Sequence, residues 1–235
     1  MILEIAANSV ASALAAQEGG AGRVELCTAL ELGGLTPSSG QIALAREKLS
    51  IPLYVLIRPR AGDFLYSDLE YETMLRDIEA CAKAGCDGVV IGALDADGNV
   101  DMPRCHGLIA AAGQLGVTFH RAFDVTRDPL TALEDLVALG CERVLTSGAQ
   151  PSAIEGAPLI RQLVELAAGR IAVMPGAGVT PDNLDELMAK TGASEFHASA
   201  KLQHASRMYR QSPLLKEMQV GELKSDAGLI RRFIG

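Results

Sequence analysis

The sequence predicts an α/β protein built as one (β/α)8 TIM barrel, and three observations predict it. A phrase recurs along the chain: a helix end, a glycine, then a short β-branched run. It reads AKAGCDGVVIG (82–92), GQLGVTFHR (113–121), LVALGCERVLTSG (136–148), AAGRIAVMPG (167–176) and MAKTGASEFHAS (188–199). Gly85, Gly116, Gly140, Gly169 and Gly192 occupy the place of a left-handed helix cap. Helical stretches separate successive strands, which favours a parallel sheet with right-handed crossovers. Finally, the first strand–helix turn lacks the GxGxxG that a doubly wound nucleotide fold, the alternative architecture, would carry.

Taken in order, the strands are ILEIA (2–6), RVELC (23–27), LYVLIR (53–58), GVVI (88–91), GVTFHR (116–121), RVLTS (143–147), IAVMPG (171–176) and EFHAS (195–199). Strand residues alternate between two faces. In strand one Leu3 and Ile5 face the helices, leaving Glu4 and Ala6 inward. Strand two turns Val24 and Leu26 out, with Glu25 and Cys27 in. Strand three sends Tyr54, Leu56 and Arg58 inward, strand five Thr118 and His120, strand eight Glu195, His197 and Ser199. Beyond the eighth strand, residues 201–235 form a tail, irregular around 208–218, that ends in a helix near Ser225 to Phe233. The chain is read as one domain over 1–235, with the barrel over about 1–200.

Several function classes drop out on composition. A net charge of −8 over 235 residues argues against a nucleic-acid partner. No apolar run reaches the roughly 20 residues of a bilayer span, and MILEIAANSV has neither the basic start nor the long apolar stretch of a secretory signal. The five cysteines are odd in number and form no CxxC, so the expectation is reduced thiols in a cytoplasmic protein.

Five strands thus aim ionisable groups at one interior, most of them near the C-terminal mouth where barrel active sites sit. Buried charges must pair with each other or with a ligand. Glu4, Glu25, His120 and His197 are the candidate acid–base groups. A structural ion pair is the alternative for any one of them. Arg58 and Arg60 leave strand three in IRPRAGDFLYSD (57–68), and with Arg121 they make a cationic rim suited to an anion. Gly176 and Gly178 follow strand seven, with Thr180 read as an N-cap ahead of Pro181. Ser147 and Ser199 could add donors to the same anion. Cys27 is the one cysteine placed at the mouth; the other four read as packing residues. A lone thiolate can join a soft-metal site, with His120, His197 or, more weakly, Met174.

The blocks ELGGLTPSSG, IRPRAGDFLYSD, GNVDMP, TFHRAFD, RVLTSG, GAGV and EFHASA, in this order from Met1 to about Arg210, resemble the copper homeostasis protein CutC family. The resemblance implies a (β/α)8 barrel, a cytoplasmic location and a link to copper handling. It also implies a copper(I) site in which Cys27 is the strand-two thiolate, while the strand-one position that some members fill with cysteine is Ala6. Three functions stay open: copper homeostasis with Cu(I) on Cys27, a barrel enzyme acting by acid–base chemistry on a small phosphorylated or carboxylated metabolite, and a binding or assembly role without catalysis. Each is expected to involve a homodimer or higher homo-oligomer.

Overall fold

The computed structural model describes residues 1–210, 212, 214 and 221–235. Eight parallel strands form the barrel: β1 (Ile2–Ala7), β2 (Arg23–Leu26), β3 (Leu53–Leu56), β4 (Gly88–Ile91), β5 (Gly116–Phe119), β6 (Arg143–Thr146), β7 (Ala172–Pro175) and β8 (Glu195–Ala198). From β1 to β7 each strand pairs with the next in chain order, and β8 pairs with β1, so the sheet reads β7-β6-β5-β4-β3-β2-β1-β8. The cylinder is nearly closed. Among the described residues β7 and β8 lie side by side without a backbone ladder.

Helices follow the strands: α1 (Val10–Glu18), α2 (Ser39–Lys48), α3 (Asp68–Ala84), α4 (Met102–Ala112), α5 (Pro129–Leu139), α6 (Ala157–Ala167), α7 (Leu184–Thr191) and α8 (Ala227–Ile234). Side-chain oxygens cap most of their first turns: Ser9, Ser38, Asp101 and Asp128 each accept a backbone N–H. Ser67 and Glu70 form a reciprocal capping box at α3. Gly85, Gly140 and Gly192 close their helices in the left-handed conformation, whereas Gly116 begins β5. The outward strand faces, including Leu3, Ile5, Val24, Val55, Phe119 and Phe196, pack with the helices into one main core. Each such side chain contributes about 1.5–3 kcal/mol on burial.

Between β8 and α8, where the sequence predicts only a tail, the chain makes a two-stranded antiparallel excursion, β9 (Lys201–His204) with β10 (Glu222–Ser225). Ser225 ties it back, its N–H donating to Ser12 Oγ at 3.1 Å and its hydroxyl to the Ser199 carbonyl at 3.0 Å. The irregular stretch expected at 208–218 falls largely outside the described residues. No helix among them is long and apolar enough to cross a membrane.

Candidate functional site

The inward faces of the strands build two polar layers. In the lower one Arg23 links Glu4 to Glu195, its Nε donating to Glu4 and Nη2 to Glu195 Oε2 at 2.6 Å. Arg143 reaches the same Glu195 oxygen at 3.0 Å and Thr118 Oγ1 at 3.1 Å. Both guanidinium groups stack on the Tyr54 ring, 5.3 and 5.0 Å from its centre. Glycine at 88 and 116 makes room for that ring: a Cβ there would sit 2.1 Å from Tyr54 Cε1 and 2.2 Å from its hydroxyl. This layer is filled, so it is a floor rather than a channel.

Above the floor His197 stands between two carboxyl groups. Its Nδ1 lies 2.8 Å from Glu4 Oε1, and its Nε2 lies 3.6 Å from Glu25 Oε2. Register produces the arrangement, because Glu4 pairs with Arg23 on one side and His197 on the other. Burial would raise Glu4, but the hydrogen bond from His197 and the charge of Arg23 outweigh it and hold Glu4 at about 2. Glu25 is different. Burial dominates, Glu4 adds to it, and the opposing charges of His197 and Arg23 are insufficient, leaving Glu25 at about 7. Burial pulls His197 down, yet the two carboxylates raise it on balance. Glu25 makes no hydrogen bond within 3.5 Å among the described residues, although it is only 5 % exposed.

Over this trio opens a cavity of about 820 Å³ whose wall includes Glu25, Cys27, Arg58, His120 and His197. His120 immediately follows β5 and caps the 3-10 helix Arg121–Val125, its Nδ1 accepting the Ala122 N–H at 3.1 Å. That bond places the ring proton on Nε2, which is buried without a partner. Burial, reinforced by the Arg58 charge, lowers His120 to about 3. The expectation of a His120 that exchanges protons near neutrality is therefore corrected: it is a neutral imidazole.

The cationic rim also needs correction. Arg58 is buried, and its two terminal nitrogens donate to the carbonyls of Leu32, Gly34 and Gly62 at 2.8–3.0 Å. It clamps two loops, and only its Nε is left without an acceptor. Arg60 points away from the cavity, bonded to Glu70 at 2.6 Å and to Asp63 at 2.8 Å. Arg121 does stand on the rim, holding Asp124 at 2.7 Å and Ser147 Oγ at 2.9 Å. Ser147 is buried off the cavity wall, its hydroxyl donating to the Gln150 carbonyl at 2.5 Å. Gly176 is likewise off the wall, where a Cβ would strike Leu145 at 2.5 Å; Gly178 and Ser199 are on it. Thr180 is no N-cap. Asn183 precedes α7, and its side chain accepts from the Thr180 N–H and donates to the Gly178 carbonyl, both at 2.8 Å.

Sequence reasoning missed Arg23 and Arg143. Strand parity could have found both: Arg23 sits two residues before Glu25, and Arg143 opens a strand whose Val144 faces the helices. For metal binding, one trio among the described residues brings donor atoms within 4.8 Å of one another, Glu4, Glu25 and His197. Glu4 is already bonded to both Arg23 and His197, so the trio is a compensated charge cluster. All five cysteines are free and buried.

The comparisons agree with this architecture. The CutC family model matches residues 1–202. A family protein CutC from Xylella fastidiosa (strain Temecula1) is 60 % identical over 232 residues, covering 99 % of this chain and 87 % of its own. The mouse copper homeostasis protein cutC homolog is 52 % identical over 207 residues, covering 88 % and 76 %. Among solved structures, a copper homeostasis protein CutC from Streptococcus agalactiae superposes with a TM-score of 0.82 at 35 % identity, over 85 % of this chain and 98 % of that one. From Met1 through the end of β8, the chain belongs to the CutC family.

Proposed function

We propose that this protein is a cytoplasmic enzyme that moves a proton on a small carboxylated or phosphorylated metabolite bound in the barrel mouth. The observation that carries this reading is Glu25: a buried carboxyl group on the cavity wall, short of hydrogen bonds, beside His197 and held at about 7. A general acid–base group works best with a pKa near the operating pH. Glu4 and Arg23 fix the His197 ring, and His197 modulates Glu25. At the mouth Arg121, Lys201, Ser199 and the Gly178 loop offer cationic and polar contacts for the anionic end of the ligand. The free thiols suit a reducing compartment.

Copper(I) is the other occupant to weigh, since the mouse and Streptococcus relatives are named for copper homeostasis. The donors do not fit. Cys27 is the one thiol on the cavity wall among the described residues, and burial, with Glu25 and Glu31, pushes it well above the usual thiol range. Cu(I) wants two or three soft donors. Ala6 stands on the same wall, and the Met174 sulfur faces Arg23 Nη2 at 3.4 Å. No step is assigned to the metal.

A thermal-shift panel of small carboxylic acids and phosphate monoesters, run on wild type and Glu25→Gln, tests the proposal. Stabilisation by a subset of one class is expected. A flat response across the panel, or a Glu25 that titrates below pH 5 by carbon-detected NMR, sinks it.

A further inference from the structure

Arg121 is held from behind. It opens the 3-10 helix that follows β5, and Asp124 of the same turn accepts its Nε–H at 2.7 Å. Ser147 Oγ, just after β6, accepts from its Nη2 at 2.9 Å. Asp124 is fixed in turn. Its carboxylate is 7 % exposed and accepts the Thr146 hydroxyl at 2.5 Å and the N–H groups of Ser147 and Ala149 at 2.9 and 3.2 Å. The loop folds round it with Gly148 and Ala149 both left-handed, φ 69° and 55°. Backbone N–H groups gathered in this way make an anion nest, and here the occupant is the side chain that grips Arg121. A guanidinium carries five N–H donors in a rigid plane, and the two bonds above use one edge of it. Nη1 makes no bond among the described residues, and the side chain, 45 % exposed, stands on the cavity wall. The end of the fork, Nη1 with the second Nη2 proton, is left for the cavity.

We infer that the free end of the Arg121 fork is a receptor for a planar, singly charged carboxylate, with Asp124 and Ser147 as its positioning residues, so that the ligand of the mouth is a carboxylic acid and not a phosphate monoester. The inference rests on the reading above that the mouth takes a small anion, and it narrows that reading to one class. Shape is the first argument. Two parallel N–H groups in one plane match the two oxygens of a carboxylate, and a fork already pinned along another edge loses little freedom on binding. Charge is the second. Arg121 and Asp124 together sum to zero, so a monoanion is held by the short hydrogen bonds of the fork. A second negative charge gains from Arg121 about what it loses to Asp124, while its desolvation cost remains. The other arginines of the wall are committed elsewhere: Arg58 to loop carbonyls, and Arg232 to Asp182 at 2.8 Å. Lys201, on the β8 side of the same wall, is the competing anion site, and as a point charge it has no preference for a planar group.

Matched anions test this at pH 7.5: benzoate against phenyl phosphate, and acetate against methyl phosphate, titrated into ¹⁵N-labelled protein by NMR. Wild type is expected to bind each carboxylate about tenfold tighter than its phosphate partner, and the Arg121 Nε–H resonance to move on saturation with benzoate; neither reading depends on a variant folding. Arg121→Lys keeps the charge and loses the fork, and is expected to weaken benzoate about tenfold. Asp124→Asn removes the opposing charge, and is expected to bring phenyl phosphate level with benzoate. An Asp124 that only supports the loop would instead weaken both alike, and that result overturns the charge argument. Should Asp124→Asn fail to fold, Glu25→Gln takes its place: the preference is expected to survive loss of the other cavity carboxylate, and a preference that vanishes there belongs to Glu25. Tighter binding of the phosphates by wild type overturns the inference. So does benzoate binding that is unchanged in Arg121→Lys and lost in Lys201→Ala. If carboxylates bind without regard to Arg121 while Glu25 still titrates near 7, the Arg121 receptor alone has failed. If neither class binds, the acid–base reading falls with it.

Discussion

His197 Nδ1 donates to Glu4 Oε1 at 2.8 Å, which turns the opposite edge of the ring toward Glu25. Glu4 is fully buried, and Arg23 bonds its second oxygen. Removing one member of a buried ion pair leaves the others uncompensated, at a cost of about 3–5 kcal/mol. Glu4→Gln is therefore expected to lose that much in urea unfolding, and its His197 to titrate lower by NMR. A loss under about 1 kcal/mol would mean that Arg23 and His197 find other partners.

Glu25 works in the opposite direction. Its folded value of about 7 lies above the 4.5 of an ordinary glutamate, so between those pH values the folded state holds a proton the unfolded chain has released. Stability from this group falls as pH rises through that window, by about 3 kcal/mol at most, and then levels off. His197 from β8, Glu4 from β1, and Arg23 and Cys27 from or just after β2 are the titratable groups that face or adjoin it. Glu25→Gln is expected to gain on wild type steadily from pH 4.5 to 7. Glu4, held at about 2, contributes stability that is fully present above about 4.5 and lost as pH falls from there through about 2, so the two carboxyl groups act in separate windows of a pH series of melts. A variant-minus-wild-type difference independent of pH would refute the raised Glu25.

Arg58 spans two loops with three carbonyl acceptors, at Leu32, Gly34 and Gly62. Lysine has a single nitrogen and cannot cover that spread. Arg58→Lys is expected to cost about 2–3 kcal/mol and to open 30–36 and 60–66 to limited proteolysis. Unchanged cleavage would show that the loops hold themselves.

The thiols give a further check. All five cysteines are buried, and burial raises Cys27. A thiol reagent at pH 8 is expected to leave the native protein unlabelled and to count five thiols after denaturation. In competition with a Cu(I) chelator, wild type and Cys27→Ala should be indistinguishable. Tight stoichiometric uptake that disappears in the variant would restore the copper reading.

Strand parity made much of this legible before any coordinates. The glycine-led β-branched runs announce eight strands, and alternation alone puts Glu4, Glu25, Arg58, His120 and His197 inside. Parity cannot say what an inward group bonds to. Arg58 reads as an anion ligand because a guanidinium near a mouth usually is one, whereas here loop carbonyls reach it first. Thr180 ahead of Pro181 has the pattern of a helix start, but Asn183 takes up its N–H and the helix begins later. The hairpin of β9 and β10 escaped because KLQH and ELKS are short, polar and paired only with each other.

The missing ladder between β7 and β8 has its own bearing on the site. His197 belongs to β8, whose backbone is laced to β1 alone, and across the gap it packs beside Gly176, where an added Cβ would lie 3.3 Å from its own Cβ. Seven seams of this cylinder resist widening with hydrogen bonds, and the eighth resists only with contact. A guest too large for the resting cup would find its easiest room along that stave, and the imidazole would travel with it.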